Sequence, residues 1–283
     1  MKVNNNKLKP GLYCVATPIG NMGDISFRAI ETLRKSDLIL CEDTRVSKNI
    51  LKKFEIKKKI ISNHKFNENK NLKLVLELLK NNKIVSLVSD AGTPAVSDPG
   101  RILVKECVKN KINIFPIPGA SAISSAISIS GFSDNFYFCG FLPEKQTQVK
   151  KLFKNLSLLD SSIVFFISPN KLDKRIVDIK EFFLDRNIVI CREITKYHEE
   201  YIRTSVKELS NVNFSRKGEI TVVISEVNKS RLSFKELEES DKKKINKLIN
   251  KMSIKDIVKK VSQDREIPKK NIYNYCLSLK NEN

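Results

Sequence analysis

Past an apolar run, the segment Arg192-Glu193-Ile194-Thr195-Lys196-Tyr197-His198-Glu199-Glu200 gathers carboxylates, cations and one of the chain's two histidines. Side chains of these types in one loop can take up a proton, steady a developing oxyanion or hold a phosphate. A lone histidine is more often structural than catalytic; the ionisable crowd around this one singles it out. Cys41-Glu42-Asp43-Thr44-Arg45 forms a second group at the end of another apolar run, with His64, Asn67 and Glu68 after the next short strand. Acids beside an arginine can fix one another's charge state in a cleft. On pattern alone, a plain salt bridge capping a helix that begins at Thr44 explains this group better.

Three further segments are built from turn formers. Ala16-Thr17-Pro18-Ile19-Gly20-Asn21-Met22-Gly23-Asp24 ends a strand in a glycine-punctuated turn, where free backbone N–H groups suit a polar or anionic ligand edge. Ser89-Asp90-Ala91-Gly92-Thr93-Pro94-Ala95-Val96-Ser97-Asp98-Pro99-Gly100 follows an apolar strand, and small residues there permit close approach to the backbone. Read alone, an ordinary long loop explains it about as well. Pro118-Gly119-Ala120-Ser121-Ala122 turns into a small-residue helix, for which a plain capped turn is the better explanation in isolation. No G-x-G-x-x-G or P-loop pattern occurs, which counts against a Rossmann dehydrogenase and an NTPase. Gly20-x-x-Gly23 follows a strand and so does not fit a KH-type RNA clamp, which joins two helices.

These segments sit at the ends of regularly alternating elements. Short β-branched runs at 12–17, 38–42, 84–89, 112–116, 136–141, 163–167, 188–192 and 220–225 predict strands. Apolar residues at helical spacing predict helices through 33 from a cap at Asp24-Ile25-Ser26, and over 71–79, 101–108, 120–130 and 172–183. The rhythm is that of βα units around a mostly parallel sheet. Pro116-Ile117-Pro118-Gly119 interrupts it near mid-chain, which divides the α/β part into lobes at 1–118 and 119–228. After a polar stretch over 228–235, Ile245, Leu248, Ile249, Met252, Ile254, Ile257, Val258, Val261, Ile272, Tyr273, Cys276 and Leu279 predict three short amphipathic helices. Residues 238–283 thus read as a basic, helix-turn-helix-like tail.

With 283 residues the chain can bury a core without staples. The six cysteines lie far apart with no C-x-x-C, so they read as small buried hydrophobes in a reducing compartment, and no metal is expected. No apolar run reaches a signal peptide or the ~18–20 residues of a membrane span, which predicts a cytoplasmic protein. A formal charge of +20 favours a polyanionic partner, although the excess of Lys over Arg also fits a compositional drift of the whole genome.

Taken in order, ATPIGNMGDISFRA, LCEDTRVSKNIL, LVSDAGTPAVSDPG, PIPGASA, FCGFLPEK and REITKYHEE resemble the tetrapyrrole methylase superfamily and, within it, the small-subunit ribosomal RNA 2′-O-ribose methyltransferases. The tail's IPKKNIYNYCLSL is similar to that family's helical appendage. The resemblance implies an α/β fold of two lobes with S-adenosylmethionine in the cleft between them. It places Pro18, Gly20, Asn21, Asp90, Gly92, Thr93, Pro94, Val96, Ser97, Ser121 and Ala122 at the cofactor. Its implied substrate is the 2′-hydroxyl of a cytidine in the decoding region of 16S rRNA within the small ribosomal subunit, and its implied assembly is a homodimer. Asp43, Arg45, Glu193, Lys196, His198 and Glu199 are the catalytic candidates, with Arg45 and Lys196 suited to a phosphate. The chain departs from other members of the superfamily at Thr93, where they carry an Asp in a G-D-P turn, and from its relatives at Ile167-Ser168-Pro169-Asn170-Lys171 and at Asn63-His64-Lys65-Phe66-Asn67-Glu68. The polar contacts of the replaced residues do not carry over. A tetrapyrrole methyltransferase and a non-catalytic ribosome-assembly factor are the competing readings. In the tail, Lys255, Lys259, Lys260, Lys269 and Lys270 are candidates to grip RNA phosphates, a solvated face or dimer contact being about as good an account.

Overall fold

A computed structural model describes residues 8–215, 217–227, 237–264 and 269–281. The chain forms two compact units, Met1–Glu226 and Val227–Asn283.

The first unit opens with β1 (Gly11–Val15), α1 (Phe27–Lys35), β2 (Leu38–Cys41), α2 (Thr44–Lys53), β3 (Ile60–Ser62), α3 (Glu68–Lys80), β4 (Ile84–Leu87), α4 (Arg101–Lys109) and β5 (Ile114–Ile117). Its five strands form a parallel sheet in the order β3-β2-β4-β1-β5. Helices cover both faces, which is why β2 reads as the unbroken apolar run LILC with every residue buried. The expected cap of α1 is present, with the Ser26 side chain accepting from the Ala29 amide. α3 begins earlier than expected, at Glu68. That buried carboxylate accepts hydrogen bonds from the amides of Ile102 and Leu103 at 2.9 and 3.0 Å. It satisfies the start of α4, whose own cap residue, Gly100, has no side chain to offer.

Through α5 (Ala122–Ser130) the chain passes to β6 (Phe136–Phe141), α6 (Gln146–Ser157), β7 (Ser162–Ile167), α7 (Pro169–Phe183), β8 (Asn187–Arg192), β9 (Glu200–Ser205) and β10 (Ile220–Ile224). These strands form a second sheet, β6-β7-β10-β8-β9. Here the expectation of mostly parallel pairing is corrected: only β6–β7 is parallel, and β10 runs antiparallel to both β7 and β8, as β9 does to β8. For β9 the cause is loop length. Residues 193–199 between β8 and β9 are too few for a crossover helix, so β9 must turn back beside β8. β9 and α6 were not anticipated in the sequence, although Val149, Phe153 and Leu156 of α6 stand at helical spacing and are buried. At the far end of this sheet the guanidinium of Arg186, 5% exposed, donates to the carbonyls of Ser157, Leu159, Ser161 and Ser225 at 2.7–3.4 Å.

The second unit contains α8 (Glu239–Leu248), α9 (Ile254–Asp264) and α10 (Lys269–Asn281). Ile245, Ile249, Ile257, Val261, Ile272 and Cys276 form its buried core. Tyr273, expected in that core, is 45% exposed, and Tyr275 packs there in its place. The helical period explains this: three residues from Ile272 stays on its face, whereas one residue rotates away. Lys255, Lys259, Lys260 and Lys269 are exposed, while residues 228–236 and the Lys270 side chain lie outside the described residues. No helix among the described residues is long and apolar enough to cross a membrane.

Candidate functional site

The parallel strands of the first sheet end in loops at one edge, and three of these loops wall a cavity of about 310 Å³ with Ile19 (after β1), Glu42 (after β2), and Asp90, Ala91, Gly92, Thr93, Val96 and Asp98 (after β4). The second sheet supplies the opposite wall. Because β10 is antiparallel to β7 and β8, its start meets their ends, so Gly218, Glu219, Ile220 and Thr221 come beside Phe166, Ile167, Ser168, Cys191, Ile194 and Lys196. Ser121, Ala122 and Ile123 at the start of α5 and Phe141 at the end of β6 complete the lining.

Backbone contacts hold these walls in place. Thr17 and Gly92 exchange two amide-to-carbonyl bonds of 2.9 and 3.0 Å, joining the loops after β1 and β4. Gly92 has φ of +76°, a conformation that favours glycine. The β1 loop also meets the second sheet: the Asn21 amide donates to Thr195 Oγ1 at 3.0 Å. Any side chain on Gly20 would stand 2.5 Å from Lys196 Cγ. The glycine is therefore required by the approach of the opposite loop.

Lys196 is the cation of the cavity wall. Its Nζ lies 2.9 Å from Glu193 Oε1 and 2.9 Å from Glu219 Oε2. Burial pulls its pKa down, but the two carboxylates outweigh burial and hold it above the usual lysine value, so it stays charged. Glu193 is pushed up by burial, yet its bonds to Lys196 and to the Glu219 amide, the latter 2.8 Å, leave it below the ordinary range. Glu193 and Thr195 both take left-handed backbone, φ +53° and +65°, a cost of roughly 1–3 kcal/mol each that the surrounding bonds offset. A Cβ at Gly218 would meet the Glu193 carboxyl at 2.5 Å, so this ion pair also depends on a glycine.

The opposite wall is acidic. Burial raises the pKa of Glu42, Asp90 and Asp98, repulsion from Asp90 on Glu42 and Asp98 and from Asp43 on Asp90 adds to it, and Asp98 reaches about 6 despite the hydrogen bond from Ser89. Asp43 behaves oppositely: the Arg45 guanidinium, 2.6 Å away, holds it at about 2.

Of the residues singled out in the sequence, Asp90, Gly92, Thr93, Val96, Ser121, Ala122 and Lys196 come together on the cavity wall. Pro18, Gly20, Asn21, Pro94 and Ser97 belong to the same turns but do not themselves line the cavity. Asp43 caps α2 through the Arg45 amide, with Arg45 itself largely in solvent. Glu193 stands behind Lys196. His198 is exposed, its ring edge-on to Tyr197 at 5.0 Å. Glu199 is engaged by the Thr195 amide at 2.8 Å and by the Tyr201 hydroxyl, and thus braces the loop. Glu42 and Asp98 were within the motifs quoted above but not singled out. Phe141 lies within the FCGFLPEK motif but was not singled out either, and Phe166 and Glu219 carried no signal of their own in the sequence.

Residues 11–210 match the family model described as Tetrapyrrole (Corrin/Porphyrin) Methylases. The chain is similar to curated proteins named Ribosomal RNA small subunit methyltransferase I. The one from Thermotoga maritima is 46% identical over 218 residues, covering 76% of this chain and 97% of the relative. The one from Bacillus subtilis is 35% identical over 270 residues, covering 93% and 92%. Among solved structures, diphthine synthase aligns with a TM-score of 0.60 at 18% identity, covering 76% of this chain and 89% of that one. Uroporphyrin-III-C-methyltransferase from Thermus thermophilus aligns with a TM-score of 0.56 at 14% identity, covering 76% and 94%. At these identities the two structures speak for the fold alone.

Proposed function

Because this chain belongs to the tetrapyrrole (corrin/porphyrin) methylase family and is a methyltransferase, we propose that it methylates the 2′-hydroxyl of a cytidine in the decoding region of small-subunit ribosomal RNA, with S-adenosylmethionine as donor. The relatives' names supply the substrate class. The observation that carries the residue assignment is the charged Lys196 set across a small cavity from Glu42, Asp90 and Asp98.

That cavity suits the donor. Its volume of about 310 Å³ is that of a small-molecule pocket. Ile19, Val96, Ile123, Phe166 and Ile194 offer a purine an apolar seat, and Gly92, Ser121 and Ala122 leave backbone within reach of polar edges. Glu42, Asp90 and Asp98 have no ion-pair partner among the described residues, and their charge complements a cationic ligand. When bound, S-adenosylmethionine supplies a methyl group on a positively charged sulfur, already activated for displacement. The walls then align the ribose oxygen with that methyl. As the methyl's bond to sulfur breaks and its bond to oxygen forms, the hydroxyl proton passes to solvent, and Lys196 would stabilise the negative charge that grows on the oxygen, a role for which a permanently charged ammonium is fitted. The exposed lysines of α9 support RNA binding by the tail, and the family resemblance supports a homodimer working in the cytoplasm.

Asp98 gives the reading a pH signature. Below about pH 6 its carboxyl is neutral, and above it the anion attracts the cationic donor, so donor affinity rises as pH increases through 6. If the bound cation returns this pKa by about one unit, linkage strengthens binding by roughly tenfold. Titration calorimetry at pH 5 and 7.5 checks this: Asp98→Asn flattens the difference, and a mutant that keeps it excludes Asp98 as the source.

The test of function is transfer of isotopically labelled methyl to small ribosomal subunits lacking the modification, with the nucleoside identified by mass spectrometry. The expected product is 2′-O-methylcytidine. Label in a parallel tetrapyrrole sample alone, or tight subunit binding without label, would overturn the proposal.

A further inference from the structure

Phe141 is 65% exposed, yet it lines the cavity. The backbone puts it there. β6 pairs in register with β7 from Phe136 to Phe138, then slips so that Phe141 faces Phe166. Gly140, at the irregularity, has φ of +71°, and a Cβ on it would stand 3.0 Å from Ser97 Oγ of the facing loop. Bulges of this kind re-aim a side chain. The ring is held from below, its centroid 5.3 Å from that of Phe166, against which Phe138 packs edge-on at 5.0 Å. Most of the Phe141 ring is left to solvent.

Resting on the function proposed above, we propose that Phe141 is the stacking surface for the base of the target nucleotide, at the rim of the cavity whose wall carries Lys196. Three considerations lead to this. A cavity of about 310 Å³ is filled by the methyl donor, so the nucleotide that receives the methyl must sit at its rim, where the exposed ring lies. The donor's own purine has the more buried Phe166 and Ile167 to lie against, which leaves Phe141 without a role toward it. A ribose within folded RNA reaches such a cavity only if its nucleotide leaves the stack, and an aromatic face replaces the stacking that the base gives up. Any base has a π face, so Phe141 secures the nucleotide while its identity is read elsewhere.

The experiment compares wild type with Phe141→Leu, which keeps apolar bulk without a π face, and Phe141→Trp, which keeps the face. Donor affinity, subunit binding by filter retention, and methyl transfer are measured on the full chain. Phe141→Leu is expected to weaken subunit binding and raise KM for subunits roughly 5- to 150-fold, with donor affinity within twofold of wild type. Phe141→Trp is expected to recover most of that loss. Unchanged donor affinity also establishes that the variant folds. Equal binding by the leucine variant, or a loss confined to donor affinity, would overturn the proposal, the second outcome assigning the ring to the donor. Failure of the functional reading is separable: it appears as absence of methyl transfer by wild type. Subunit binding that still depends on the Phe141 ring would then uphold the stacking surface.

Discussion

Lys196→Met is expected to lower turnover about 100- to 1000-fold, the usual cost of removing one group that stabilises a reacting oxyanion. Methionine preserves the aliphatic stem that packs on Gly20 and deletes only the ammonium. Glu193 keeps its bond from the Glu219 amide, so the loop retains its anchor. The loss should therefore fall on kcat measured in single turnover, with donor affinity little changed. Equal loss of donor affinity and turnover would remove Lys196 from the reaction and make it a binding residue.

Arg186→Leu should act on stability instead. Its guanidinium satisfies four carbonyls at the far end of the second sheet and lies 5.3 Å from the centre of the Phe183 ring. Burial lowers its pKa against the pull of Asp160 and Glu226, so part of its contribution offsets its own desolvation. Leaving the carbonyls without donors costs on the order of 3–5 kcal/mol. In a unit of this size that corresponds to a fall in Tm of roughly 10 °C. Thermal denaturation measures it, and the folded fraction should keep wild-type kcat because the cavity lies at the opposite end of β8. An unshifted Tm would show that water replaces the guanidinium at those carbonyls without cost.

The first sheet is legible in the sequence because burial on both faces writes itself as continuous apolar runs, as in Leu38 to Cys41. β9 is not, since an edge strand whose residues are nearly all half-exposed shows neither a run nor an alternation. The site divides along the same line. The turns at Pro18–Asn21 and Asp90–Ser97 announce themselves through glycine, proline and small residues, because close backbone approach restricts composition. Glu219 and Phe166 reach the cavity only through the antiparallel register of β10 with its neighbours, and a register is a property of the pair rather than of either strand. Lys196 could be named from its crowded loop. Its separation from His198 and Glu199 depended on which way each side chain leaves that loop.

The 193–199 loop also bears on the order of assembly. Closing seven residues between β8 and β9 costs little chain entropy, so this hairpin can form early. The bond from Asn21 to Thr195 spans 174 positions and needs both sheets in place. In kinetic terms, the lysine is clamped by its local carboxylate long before there is a cavity for it to face, and the donor site is among the last features to mature. A nascent chain would therefore gain its fold before its capacity to bind the donor, and donor binding would report completed folding.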